Sequence, residues 1–160
     1  GTGSGALLLA ALHVWPVAKG IGIDASTAAL AIAQANGEAL GLAERANWWA
    51  GNWADGLEER FDLILCNPPY IAPDDPDLAA QVRDYEPHMA LFSGEDGLAD
   101  YRVIIPQLAD LLEPQGIALL EIGWKQADRV TEIARQSGFT AHLHHDLAGR
   151  PRALALTRQA

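Results

Sequence analysis

The sequence predicts a doubly wound α/β fold, a mostly parallel sheet whose last strands form an antiparallel hairpin. Three observations carry that prediction. Strand-like runs alternate with helical periods along most of the chain. FDLILC (61–66) is a continuous apolar run of the kind found in a parallel sheet covered on both faces, and GIALLEIG (116–123) reads as another buried strand. FTAHLHH and PRALALTR, near the C-terminus, alternate with period two.

Taken in order, ALLLAALHVW (6–15) reads as a short apolar helix stopped by Pro16. KGIGID (19–24) is a strand with a polar end. STAALAIAQANGEAL (26–40) opens on a Ser or Thr cap and continues as an alanine-rich helix that stops near Gly41. ANWWAG (46–51) reads as a strand, and 51–60 as polar turns. Residues 71–100 form a long irregular stretch containing APDDPD and SGEDG. A loop that long in a compact domain is usually functional or disordered. LADYRVIIPQLADLLEP (98–114) reads as an amphipathic helix with a kink site at Pro106, and KQADRVTEIARQSG (125–138) as a helix with a glycine stop. The order is α β α β β α β α β β, without an internal repeat, over a single domain 1–160.

The 160 residues suffice for one domain with a real core. The formal net charge of -10 makes a surface that repels nucleic acid phosphates. Arg129, Arg135, Arg150, Arg152 and Arg158 are scattered through the C-terminal third, with no basic patch. A single cysteine, Cys66, excludes an intrachain disulfide. No apolar run is long enough to span a bilayer and no basic-then-apolar leader is read, so a cytoplasmic location is expected.

GTGSG (1–5) precedes the first helix. Glycines let backbone approach a ligand, and a helix N-terminus offers free N–H groups. The plainer reading is a tight strand-to-helix turn. A Walker A loop is excluded, since no Gly-Lys-Ser/Thr follows. Asp24 ends the next strand, about 20 residues beyond the first glycine, where an acid can accept both hydroxyls of a ribose. It can also cap the helix that begins near Ser26. Loop and acid together imply an adenosine-containing cofactor, either a dinucleotide or S-adenosylmethionine.

NPPY (67–70) separates these. It lies beyond the end of an inner strand, the usual ligand side of such a sheet. Each proline fixes φ and lacks an N–H, and residues before a proline are pushed into extended conformations. The plainer reading is a rigid turn. The functional one is a stiff shelf on which the Asn67 carboxamide oxygen and the Pro68 carbonyl both accept from one planar NH2 group, with the Tyr70 ring holding that group flat. Such a shelf suits methylation of a poorly nucleophilic nitrogen. Fixed acceptors position it and favour the charge that develops on it.

GTGSGA, GID, GNW, NPPYI, YEPHMALFSGEDGLADYRVI and GIALLEIGWKQ together resemble the catalytic domain of the HemK-type release factor glutamine N5-methyltransferases, over essentially the whole chain. NPPY alone is shared with nucleic acid N-methyltransferases; the YEP, AL and GEDGL run is more specific to the protein-glutamine branch. The resemblance implies a Rossmann-like class I methyltransferase fold, S-adenosylmethionine as donor and the glutamine of a Gly-Gly-Gln loop in a class I peptide chain release factor as acceptor. It implies that Gly1, Thr2, Gly3 and Gly5 border the methionine part of the donor, that Asp24, with Ala25 beside it, holds the ribose, and that Asn52 and Trp53 flank the adenine. Asn67 would face both donor and acceptor. Pro68, Pro69 and Tyr70 would complete the amide site, and Glu86 and Pro87 would shape the substrate mouth. No direct nucleic acid or membrane partner is implied.

The family usually has Asp where this chain has Asn52; an amide oxygen still accepts from the adenine amino group, with a weaker grip expected. The family also has an N-terminal helical domain and a first strand ending in D-L-G-T-G ahead of the glycine loop. The chain is therefore expected to be a fragment of a longer protein. Two other functions fit part of the pattern: an adenine N6 or guanine N2 methyltransferase, and a truncated domain that binds cofactor without turnover. HLHHD (142–146) has a metal-like spacing at His142, His144 and Asp146, but reads more simply as an edge strand and turn, so no metal is expected. His88 reads as a loop residue, Cys66 as a core thiol, and Trp48 and Trp49 as packing residues, with a border of the adenine pocket the other reading for one of the two. The acidic PDDPD (73–77) is a solvated loop, or a contact for a basic surface on the protein substrate.

Overall fold

The computed structural model describes residues 1–74 and 91–159. They form two compact units, Gly1–Leu57 and Glu58–Ala160. Among the described residues the element order is the one expected.

The first unit holds α1 (Ala6–Val14), β1 (Gly20–Asp24), α2 (Thr27–Ala39) and β2 (Ala46–Ala50). β1 and β2 pair in parallel, from Gly20 opposite Ala46 to Asp24 opposite Ala50. Leu9 and Leu12 share one face of α1 and pack with Leu42 and Ala46, with Leu8, Ala18 and Trp48 around them. Pro16 ends α1, and Arg45 takes up the carbonyls left there: its guanidinium donates to Leu12 (2.9 Å), Trp15 (3.1 Å) and Ala18 (2.9 Å). Ser26 caps α2, its hydroxyl accepting from the Ala29 N–H at 3.2 Å.

The second unit holds β3 (Phe61–Cys66), α3 (Ala99–Leu111), β4 (Leu112–Glu121), α4 (Ala127–Gln136), β5 (Phe139–His145) and β6 (Pro151–Arg158). Its sheet order is β3-β4-β6-β5. β3 and β4 are parallel, whereas β6 runs antiparallel to both β4 and β5, the C-terminal hairpin. Tyr101, Ile104, Ile105 and Leu108 line the buried face of α3 and belong to the same core as Leu120, Val130, Leu154 and Leu156.

The helix expected to reach residue 114 stops at Leu111. Pro114 lacks an N–H and pushes Glu113 into extended backbone, so Leu112–Pro114 join β4 instead. Pro106 stays inside α3 on its exposed face, where water can bond the carbonyl it frees. Among the described residues no helix is long and apolar enough to cross a membrane.

Candidate active site

In the first unit the glycine loop winds over the C-terminal end of β1. The Thr2 N–H donates to the Ile23 carbonyl at 2.7 Å, and the Asn36 carboxamide donates to the Ser4 carbonyl at 2.9 Å. Gly5 is the N-cap of α1 at φ +80, a region that side chains disfavour. A Cβ there would also meet the Trp48 ring at 2.7 Å. Trp48 fills the space beneath the loop and lies 2.5 Å from a Cβ built on Gly22. It is a packing residue, as expected.

Asp24 ties strand, loop and helix together. One carboxylate oxygen accepts from the Gly3 N–H at 2.8 Å and the other from the Ser26 N–H at 2.9 Å. Both expectations for this residue are therefore compatible: it organises the start of α2, and each oxygen keeps a further lone pair on a half-buried group. Ala25, next along, is exposed.

Asn52 is exposed, and its backbone carbonyl accepts from the Asp55 N–H at 3.1 Å. Trp53 is the one non-glycine residue at positive φ (54) among those described. That conformation is costly for a bulky side chain and is retained where the surroundings demand it. Its ring lies 3.6 Å from a Cβ built on Gly1, so Trp53 borders the glycine loop.

In the second unit β3 ends at Cys66 and NPPY follows at once. Pro68 is fully buried, Pro69 and Tyr70 are half-buried and Asn67 is exposed. Among the described residues, neither the Asn67 carboxamide nor the Pro68 carbonyl has a hydrogen-bond partner. The segment is anchored through Tyr70 and Ile71. The Tyr70 phenol donates to the Glu121 carboxylate at 3.2 Å. Burial first, and then the Glu121 charge, push that phenol above its ordinary range, so it remains a donor at neutral pH. Arg152 lies 3.8 Å from the same carboxylate, and the Tyr101 hydroxyl donates to the Glu121 carbonyl at 2.7 Å. The Ile71 N–H donates to the Leu91 carbonyl at 2.9 Å, and the Ile71 carbonyl accepts from the Ser93 N–H at 3.1 Å. Ser93 is itself buried, and its hydroxyl accepts from the Asp100 N–H at the start of α3.

Burial pushes the Cys66 thiol up to about 11, which suits a packing thiol and not a thiolate nucleophile. His142 and His144 lie exposed on β5, an edge strand, and Asp146 is occupied by the Ala148 and Arg150 N–H groups of the following turn. Glu86 and Pro87, expected at the substrate mouth, lie outside the described residues, as do His88 and most of the acidic run. A depression of about 340 Å³ lined by Leu98, Arg102, Asp128, Arg129, Glu132 and Ile133 includes none of the expected site residues. Glu121, Gln126 and Gly97, which support Tyr70, had no role assigned from the sequence. The signal for Glu121 was an acid at the end of an otherwise apolar strand.

Known proteins bear out the resemblance read from the motifs. The chain is 43% identical over 97% of its length to a release factor glutamine methyltransferase of Bradyrhizobium diazoefficiens, covering 53% of that protein. It is 46% identical over 88% of its length to one of Caulobacter vibrioides, covering 49% of that protein. The chain thus spans about half the length of the curated relatives it matches. In fold it is similar to a methyltransferase from Pyrococcus furiosus, with a TM-score of 0.75 at 17% identity, covering 100% of this chain and 73% of that one. The fold is that of the Rossmann-like class I methyltransferases. Residues 1–83, just over half of the sequence, match the methyltransferase small domain, and the chain belongs to that family.

Proposed function

We propose that the protein is an S-adenosylmethionine-dependent methyltransferase that alkylates the side-chain amide nitrogen of the glutamine in the Gly-Gly-Gln loop of a class I peptide chain release factor. The observation that carries this reading is the acceptor pair at Asn67 and Pro68, held on a rigid, anchored segment with no partner among the described residues. The names of the two relatives support the choice of substrate.

The first unit fits the donor. Gly1, Gly3 and Gly5 present backbone without side-chain bulk, Thr2 between them sets its hydroxyl against Gly22, and Asp24 has lone pairs left for a ribose diol. Ala25 beside it adds little bulk. Trp53 and Asn52 offer a ring face and an amide for an adenine. When bound, S-adenosylmethionine supplies an electrophilic methyl group.

On the second unit the Asn67 oxygen and the Pro68 carbonyl accept the two N–H protons of the glutamine amide and so hold its nitrogen in one orientation. Pro69 keeps Pro68 extended. The Tyr70 ring, fixed by its bond to Glu121, keeps the amide plane flat. Those two oxygens also oppose the positive charge that nitrogen develops. An alkylated amide nitrogen is acidic, so its proton leaves without a strong base. Glu86 and Pro87 are proposed to shape the mouth of this site. The 160 residues are read as one catalytic domain of a longer cytoplasmic protein, without a nucleic acid or membrane partner. β1 has a strand on one side only among the described residues, which leaves an edge for the strand expected ahead of Gly1.

Asn67→Ala tests the proposal. Turnover with a release factor is expected to fall about 100- to 1,000-fold, the loss typical of one preorganised dipole, while calorimetry gives a far smaller loss of affinity for S-adenosylhomocysteine. Full activity in that variant would refute the mechanism.

A further inference from the structure

We propose that Gln126 is the positioning residue of the acceptor shelf: its carboxamide fixes the peptide plane that joins Tyr70 to Ile71, and with it the aim of Asn67, Pro68 and Tyr70. The inference rests on the reading of that shelf as the amide site. Gln126 immediately precedes α4, and its own backbone is held by bonds to Gly123 (2.9 Å) and Val130 (2.9 Å). Its side chain joins three loops. Nε2 donates to the Tyr70 carbonyl at 2.8 Å and to the Gly97 carbonyl at 3.1 Å, and Oε1 accepts from the Gly123 N–H at 3.0 Å. The partners dictate that orientation: the two carbonyls can only accept and the N–H can only donate. Both amide protons are used on backbone.

The Tyr70–Ile71 peptide is thereby pinned at both ends, its carbonyl by Gln126 and its N–H by the Leu91 carbonyl. The glycines of the neighbouring loops make room for this arrangement. A Cβ on Gly97 would lie 2.6 Å from the Tyr70 carbonyl oxygen and 2.8 Å from Gln126 Nε2, and one on Gly123 would lie 2.8 Å from Gln126 Oε1. The GEDGL and GWKQ runs therefore meet behind NPPY and act on it through one carboxamide. A shelf that must aim two acceptors at one nitrogen needs such backing, because small misplacements of reacting groups cost rate steeply.

The test uses Gln126→Met and Gln126→Glu in the full protein. Met keeps the volume and removes all three bonds. Glu keeps the acceptor for Gly123 and removes both donors. Amide hydrogen exchange is expected to quicken about tenfold at Ile71 and Gly123 in the Met variant, but at Ile71 alone in the Glu variant. In both, kcat with the release factor is expected to fall about 100-fold, with affinity for S-adenosylhomocysteine unchanged. Exchange that quickens equally across β4 and β6, or an unchanged kcat, would overturn the proposal. A wild-type protein that leaves the release factor unmethylated would overturn the substrate reading, and the exchange pattern would still decide the role of Gln126.

Discussion

Trp53 illustrates how a single residue can carry information that its neighbours do not. It sits at φ 54, where a bulky side chain is strained, and its ring borders Gly1. Strain of this kind costs about 1–3 kcal/mol and persists where it serves the surroundings. Trp53→Gly separates the two contributions. The backbone strain is relieved, so the unfolding temperature is expected to hold or rise, while the affinity for S-adenosylhomocysteine falls about tenfold with the loss of a stacking face. Unchanged affinity would remove Trp53 from the donor site. Asp24 differs in kind: its two backbone bonds make it part of the scaffold as well as a candidate ribose ligand.

Among the elements, two helix ends are finished in the same way. Arg45 collects the carbonyls at the end of α1, and the Arg158 guanidinium donates to Leu112 (2.7 Å) and Ala109 at the end of α3. The loop before α1 is more exacting. At Gly5 both φ +80 and the Trp48 ring oppose a side chain, whereas at Gly3 (φ +55) nothing lies within 4 Å of a built Cβ. Gly5→Ala is therefore expected to destabilise the protein by about 1–3 kcal/mol, and Gly3→Ala by only about 1 kcal/mol of backbone strain, both read as lower urea midpoints. Equal losses would contradict the packing argument. α3 depends on the opposite end of its loop, where Ser93 and Asp96 accept the Asp100 and Leu98 N–H groups and so build SGEDGL into a rigid start.

Across the molecule, charge and protonation set the behaviour. The scattered C-terminal arginines are engaged within the protein: Arg129 with Asp96, Arg135 with Glu132, Arg152 with Glu121 and Asp146, Arg158 with helix carbonyls, and Arg150 over the Trp124 ring at 5.8 Å. With a net charge of -10, that arrangement supports the proposal of a protein substrate. Stability has an alkaline limit. The Cys66 thiol is raised from 9.0 to about 11, so the folded protein holds this proton more tightly than the unfolded chain does. The contribution is complete below about pH 9 and is lost as pH rises through about 11, a fall of roughly 2–3 kcal/mol. Urea titrations from neutral pH to about 11 should show that fall, and Cys66→Ala should reduce it.

Local pattern was enough to read the order of the elements among the described residues, because periodicity and stop signals such as Pro16, Gly41 and Gly138 act within a few residues. It also marked the glycine loop, Asp24 and NPPY as candidates, since those motifs are read through backbone geometry that their own residues impose. It misplaced the end of α3, where Pro114 overrode a periodic pattern. What tertiary structure alone decided was the backing of the shelf. Tyr70 meets Glu121 and Gln126 across separations of 51 and 56 residues, and such partners are chosen by how strands pair and loops meet, not by any neighbouring residue.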